Sequence, residues 1–211
     1  MTLIAVTQRV DKVEAYQERR NSLDQRWITF LEACHCLPLI LPNNKNTVHF
    51  LLQEVQVSGI LLTGGGDLES LGGQTPERDE VENRLIQYAI QNQIPLLGIC
   101  RGMQVIQHYF GVQLYKIIGH DGQEHDIIWG NKEVRRNSFH NYGTRDSCDG
   151  LEKMAWADDG VIEAVRHLDY PICGLMWHPE RNTPFNLRDV EFITHFFKTG
   201  DFFSECFSSS L

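Results

Sequence analysis

Short apolar runs alternate with amphipathic stretches along most of the chain. Residues 2–6 (TLIAV), 37–41 (LPLIL), 58–62 (SGILL), 95–99 (PLLGI) and 171–177 (PICGLMW) are nearly continuous hydrophobic runs of strand length. Such runs suit strands buried on both faces by covering helices. Between them the apolar period lengthens. Leu23, Trp27, Phe30, Leu31 and Cys34 predict a helix over residues 22–34. Val81, Leu85 and Ala89 predict a helix opened by Thr75 as N-cap and Pro76 as first helical residue. Its Glu77, Asp79 and Glu80 complement the positive helix end. Met103, Ile106 and Phe110 predict a third helix, stopped at Gly111. Leu187, Val190, Ile193 and Phe197 predict a last one over residues 186–198. This alternation predicts an α/β fold: an open, mostly parallel sheet flanked by helices. Between residues 112 and 170 the pattern breaks into short pieces (HDIIW, KEVRRN, MAWAD, VIEAVRHL), which predict a small antiparallel strand region.

At 211 residues, without internal repeats or a linker, the chain reads as one domain over residues 1–200. A C-terminal tail follows over 201–211, with Phe202 and Phe203 docking it and a loose Ser-rich end. The net charge of −9 comes without a basic stripe, which argues against a nucleic-acid partner. No apolar run approaches the ~18 residues of a membrane helix, and no signal peptide is visible, so the expected location is cytoplasmic. The six cysteines show no CxxC spacing and are expected as free thiols.

One of them sits in a particular context. Gly98-Ile99-Cys100-Arg101-Gly102 joins an apolar strand to a helix. The spacing is that of a nucleophile elbow with Cys in place of Ser. Glycines two residues to either side let backbones approach where a Cβ would clash. A cysteine at a helix N-terminus is also favoured as thiolate, the attacking species. An isolated cysteine at a tight turn would be structural; the elbow spacing argues otherwise. Such a nucleophile needs a base and a group to orient it. His178 and Glu180 follow another strand two residues apart, so a strand's period of two points both to one side. A surface His-Pro-Glu is the bland reading of that segment alone. Gly64-Gly65-Gly66-Asp67 also follows a strand and can present a backbone N–H to an oxyanion, with the N–H of Arg101 as second donor. A plain tight turn or a phosphate loop fits the same glycines.

LLTGGGD, GICRGMQ and MWHPE, in that order across residues 58–182, resemble the class I glutamine amidotransferases. The resemblance implies a flavodoxin-like fold with Cys100, His178 and Glu180 as catalytic triad, and Gly65 (or Gly66) and Arg101 as oxyanion donors. It also implies that Gln104 contacts the glutamyl group and that Ser138, Phe139 and His140, in a loop before His178, line the pocket. For His140 a structural role is as good a reading. CRGMQ and SFHN look like the γ-glutamyl hydrolase branch, or peptidase C26, rather than ammonia-donating subunits with CLGHQ. The stretch TQRV…ERR…LDQRW is similar to a capsule phosphoramidate subgroup that hydrolyses γ-glutamyl-CDP-amidate. Arg9 and Arg19 would then meet a pyrophosphate; solvated surface arginines are at least as good a reading.

The expected partner is therefore a small-molecule γ-glutamyl substrate, with no cofactor and no metal. His120 and His125 lie five apart, which is no standard zinc spacing. Oligomeric state is not legible, and a homodimer is one arrangement the sequence admits. A competing reading is a glutaminase subunit that passes ammonia to a synthase partner. Another is a non-catalytic or redox-sensing module, against which the intact His-Pro-Glu argues.

Overall fold

The computed structural model describes residues 1–202. The chain opens with β1 (Thr2–Val6), β2 (Arg9–Val13), β3 (Glu18–Ser22), α1 (Arg26–Ala33), β4 (Cys36–Ile40), α2 (Lys45–Glu54) and β5 (Gly59–Leu62). It continues with α3 (Pro76–Asn92), β6 (Leu96–Ile99), α4 (Arg101–Tyr109), β7 (Tyr115–Lys116), β8 (Asp121–Trp129), β9 (Lys132–Phe139) and β10 (Tyr142–Gly143). The described elements end with β11 (Leu151–Ala157), β12 (Ile162–His167), β13 (Ile172–Leu175) and α5 (Leu187–Thr199).

One nine-stranded sheet has the order β4-β1-β5-β6-β13-β12-β11-β8-β9. From β4 to β13 neighbours are parallel; from β13 to β9 they are antiparallel. The expected mostly parallel α/β architecture is thus present. The expected antiparallel strands β12, β11, β8 and β9 continue the central sheet. β2–β3 and β7–β10 are separate two-stranded sheets.

Period-two geometry sorts each parallel strand between two cores. Ile4, Val6, Leu61, Leu97 and Ile99 join Trp27, Phe30, Phe192 and Phe196 beneath α1 and α5. Ala5, Ile60, Leu62 and Leu96 join Val48, Val81, Leu85 and Ile106 beneath α2, α3 and α4. Trp177 is fully buried, with Trp129 edge-on at 5.5 Å and the Arg136 guanidinium 5.2 Å from its ring centre. Phe202 docks as expected, stacking on Trp129 at 5.7 Å and meeting Phe192 at 5.3 Å. Phe203 and the Ser-rich end lie outside the described residues.

Several boundaries differ from the sequence expectation. α1 begins at Arg26, because residues 18–22 pair with β2 in a hairpin whose side chains are mostly exposed. α2 was not expected; Asn44 caps it by accepting from the Thr47 N–H at 2.9 Å. Thr75 stands at the N-cap of α3, but its side chain makes no capping bond. The segment before His178 is the end of strand β9, not a loop. Among the described residues no helix is long and apolar enough to cross a membrane.

Candidate active site

Cys100 stands between β6 and α4 with φ 51 and ψ −105. A non-glycine residue there costs on the order of 1–3 kcal/mol and persists only where the surroundings enforce it. Here they do. A Cβ on Gly102 would lie 2.2 Å from the Leu62 carbonyl oxygen, and one on Gly98 would lie 2.5 Å from the Gly102 backbone. The two glycines therefore let α4 press onto β5 and β6, and this close approach fixes the turn. The Cys100 N–H donates to the Leu175 carbonyl at 2.7 Å, tying the elbow to β13. The side chain is buried, and its Sγ lies 3.9 Å from the Phe139 carbonyl oxygen.

β13 runs parallel to β6, with Gly98 opposite Gly174 and Ile99 opposite Leu175. The chain leaving β13 therefore emerges beside Cys100. His178 and Glu180 follow there, and both are buried. The His178 Nδ1–H donates to Glu180 Oε1 at 2.7 Å, which leaves Nε2 as the nitrogen with a lone pair in the neutral ring. A Cβ on Gly64 would lie 2.6 Å from His178 Cε1, 3.3 Å from Nε2 and 3.5 Å from Cys100 Cβ. Gly64 thus backs both groups, and only glycine leaves room for them. Burial lowers the His178 pKa, but the charge and hydrogen bond of the Cys100 sulfur, then Glu180, overcome it and raise the group to about 9. Asn137 grips the His178 backbone from both sides: its amide donates to the His178 carbonyl and accepts from the His178 N–H, each at 2.8 Å.

The glycine turn is held by residues that the sequence did not single out. Arg78 is fully buried and donates to the carbonyls of Thr63 and Gly65, each at 2.6 Å, and of Gly64 at 3.2 Å. Gripping these three carbonyls fixes how the peptides of the turn are oriented. Gly65 itself has φ +90, which favours glycine. Arg78 also pairs with Glu82 at 2.8 Å, and Glu82 pairs with Arg101. Thr7 adds a bond to Glu82 at 3.0 Å. Arg101 therefore has two roles in the geometry. Its N–H opens α4, where intrahelical partners are missing, and its guanidinium is buried against Glu82 and Asp79. Burial favours the neutral carboxyl of Glu82, but Arg101 and Arg78 outweigh it and hold the group below its usual range. Arg78 and Glu82 fall on the stripe of α3 that carries Val81, Leu85, Ile86 and Ala89. Charges continuing an apolar stripe were the signal available in the sequence.

The remaining expected residues divide. Gln104 is buried on α4 and donates to the Tyr142 carbonyl at 2.9 Å. Phe139 stands edge-on to His178 at 5.7 Å, with Arg181 over its ring at 4.4 Å. Ser138 is buried, and its hydroxyl donates to the His120 carbonyl at 2.5 Å. His140 is buried and directed toward Glu163 on β12. Arg9 lines the small cleft formed with Thr63, Gly64, Gly65, His178 and Glu180, and its Cδ would lie 3.2 Å from a Cβ on Gly65. Arg19 is directed elsewhere, donating to Glu77 and to the Gln74 carbonyl at 2.9 Å. Volume alone does not find this cleft. A cavity of about 690 Å³ lies at the opposite end of the parallel strands, near Pro95 and Pro171, and contains none of the candidate residues.

Comparison with known proteins gives the family. Residues 19–197 match the family "Glutamine amidotransferase class-I". Gamma-glutamyl-CDP-amidate hydrolase of Campylobacter jejuni subsp. jejuni serotype O:2 is 32% identical over 188 residues, covering 87% of this chain and 92% of that protein. Anthranilate synthase component 2 of Cyanophora paradoxa is 30% identical over 165 residues, covering 72% of this chain and 81% of that one. The glutaminase domain of Trypanosoma brucei CTPS, solved with bound acivicin, superposes with a TM-score of 0.69 at 14% identity, covering 96% of each chain. A strained cysteine elbow and a His-Pro-Glu segment on adjacent parallel strands, matched across 179 contiguous residues, place this chain in the class I glutamine amidotransferase family.

Proposed function

We propose that the chain is a cysteine-dependent hydrolase of γ-glutamyl amides, with Cys100 as nucleophile, His178 as acid and base, and Glu180 orienting His178. One observation carries this reading: the buried His178 imidazole is bonded through Nδ1 to Glu180 and packed with the Cys100 side chain against Gly64. The Cys100 sulfur and Glu180 favour the charged form of the His178 ring, which suits it to hold the proton such a nucleophile gives up.

The Cys100 thiolate forms a bond to the γ-carbonyl carbon, and the carbonyl oxygen takes up the negative charge. The N–H groups of Gly65 and Arg101 receive that oxyanion; one such donor is worth roughly 10²–10³-fold in rate. Collapse breaks the C–N bond, and the His178 Nε2–H gives its proton to the departing amine. A water then loses a proton to Nε2 and attacks the thioester. Glutamate leaves and the thiolate returns.

The similarity to gamma-glutamyl-CDP-amidate hydrolase supports a γ-glutamyl nucleotide amidate as substrate, and the place of Arg9 beside Gly65 supplies a cation at the cleft. The similarity to anthranilate synthase component 2 favours a second reading, a glutaminase that delivers ammonia to a synthase. Steady-state turnover of γ-glutamyl-CDP-amidate, other γ-glutamyl amides and glutamine, with no other protein present, separates them. The hydrolase reading expects partner-free turnover of an amide in preference to glutamine, loss of activity in Cys100→Ala, and a higher KM for the nucleotide amidate alone in Arg9→Ala. Equal turnover by wild type and Cys100→Ala would refute both readings. Glutamine turnover that needs an added synthase subunit would establish the second.

A further inference from the structure

A second cluster of ionisable groups lies in the antiparallel half of the sheet. Glu163 on β12 is fully buried. Three histidines converge on its Oε1: His120 Nδ1 at 3.2 Å, His140 Nε2 at 3.4 Å and His125 Nε2 at 3.6 Å. His120 and His140 are buried as well. None of these three nitrogens, and neither Glu163 oxygen, has a well-formed hydrogen bond. Ligand atoms of His120, His125 and Glu163 all lie within 4.8 Å of one another; His140 stands outside that group of three but 3.4 Å from the Glu163 oxygen.

Two of the three distances are long for hydrogen bonds, which prefer 2.7–3.2 Å, and the third stands at that limit. The spacing suits something else. Tetrahedral zinc binds nitrogen and oxygen at ~2.0–2.1 Å, so neighbouring ligand atoms stand about 3.3 Å apart. The three contacts with Glu163 bracket that length. The opposite ring nitrogens also have suitable partners. His140 Nδ1 lies 3.1 Å from the Tyr142 carbonyl, which can only accept, so Nδ1 carries the hydrogen. In the neutral ring Nε2 is then a bare lone pair aimed at a carboxylate. His120 Nε2 lies 3.5 Å from Asp159 Oδ2, leaving Nδ1 toward Glu163. The carbonyl behind His140 and the carboxylate behind His120 are the usual outer support of a metal-bound imidazole. The His120 ring stands 4.7 Å from the His125 ring and 4.9 Å from the His140 ring, so the three imidazoles crowd around one carboxylate.

We propose that His120, His125, His140 and Glu163 form a zinc-type divalent metal site, with Asp159 and the Tyr142 carbonyl supporting two of its histidines. With His140 drawn in as fourth ligand no position is left open, so the ion has a structural role. It staples the β8–β9 hairpin to β12 and fixes the wall that carries Phe139 beside Cys100. The spacing of His120 and His125 gave no reason to expect this; the fold supplies the other two ligands from distant segments. The inference is independent of the hydrolase reading.

The test uses full-length protein stripped with a chelator and then titrated with Zn²⁺ and with Co²⁺. Wild type and Cys100→Ala are each expected to bind one equivalent of Zn²⁺ by elemental analysis and calorimetry. Co²⁺ is expected to give the intense visible bands of a tetrahedral site in both. Cys100→Ala matters because a thiolate and His178 could themselves capture zinc. His125→Ala and Glu163→Gln, checked for native circular dichroism, are expected to weaken Zn²⁺ binding at least 100-fold. Should either fail to fold, Asp159→Asn, whose side chain is partly exposed, is read instead and is expected to weaken binding 10–100-fold. No Zn²⁺ bound by Cys100→Ala, or unchanged affinity in a folded cluster variant, overturns the proposal.

Discussion

Replacing Cys100 by alanine tests the coupling on which the proposed chemistry rests. The His178 ring is buried, and burial alone disfavours its charged form. Its pKa is nevertheless raised from 6.5 to about 9, with the Cys100 sulfur the largest opposing influence and Glu180 the next. That rise corresponds to on the order of 3 kcal/mol of preference for the imidazolium. Cys100→Ala removes the sulfur and leaves burial opposed by Glu180 alone, so the His178 pKa is expected to fall. The assay is an NMR titration of the ring, assigned by the signal lost in His178→Asn. In wild type a raised pKa means that the proton donor persists to higher pH and is lost as pH climbs through about 9. kcat/KM for a γ-glutamyl amide should therefore decline above that pH. A His178 pKa identical in wild type and Cys100→Ala would show that sulfur and ring are not in electrical contact, and the nucleophile assignment would fail with it.

Two further substitutions test the supports of the site. In Gly64→Ala the new methyl would sit 2.6 Å from His178 Cε1, well inside contact distance, so the ring must move by about 1 Å. A displacement of that size costs on the order of 10²-fold in kcat; unchanged kcat would mean that Gly64 does not back the reacting groups. In Arg78→Ala, Glu82 loses one of its buried partners and the carbonyls of the glycine turn lose their donor. Breaking a buried pair costs about 3–5 kcal/mol, so the thermal midpoint should drop by roughly 10 °C in calorimetry. A drop of only a degree or two would show that the network does not hold the turn.

What the sequence disclosed follows the range of the interactions. The elbow and the His-Pro-Glu segment are short motifs next to apolar strands, so local spacing was enough to find them. The parallel strands were legible because runs such as ILL and PLLGI are buried on both faces. β2 and β3 were missed because their side chains are largely exposed and show no apolar alternation. α2 was missed because it buries only Val48 and Leu52. The Arg78–Glu82–Arg101 network was missed for a different reason: charges continuing the apolar stripe of α3 are a weak signal, because charged residues on a helix are normally solvated. Burying them required a partner 19 residues further along the chain. Glu163 was hidden in a strand of apolar neighbours, and only the fold shows which histidines it faces.

β6 and β13 lie side by side in register, and the Cys100 amide is bonded to Leu175. The sulfur and the imidazole are thus spaced by main-chain bonds between two neighbouring strands, which side-chain replacements leave in place. Of the surrounding hairpins, the exposed β2–β3 pair adds no hydrogen bond to either strand. A scaffold of this kind lets the choice of leaving group drift while the reacting atoms stay at a constant separation.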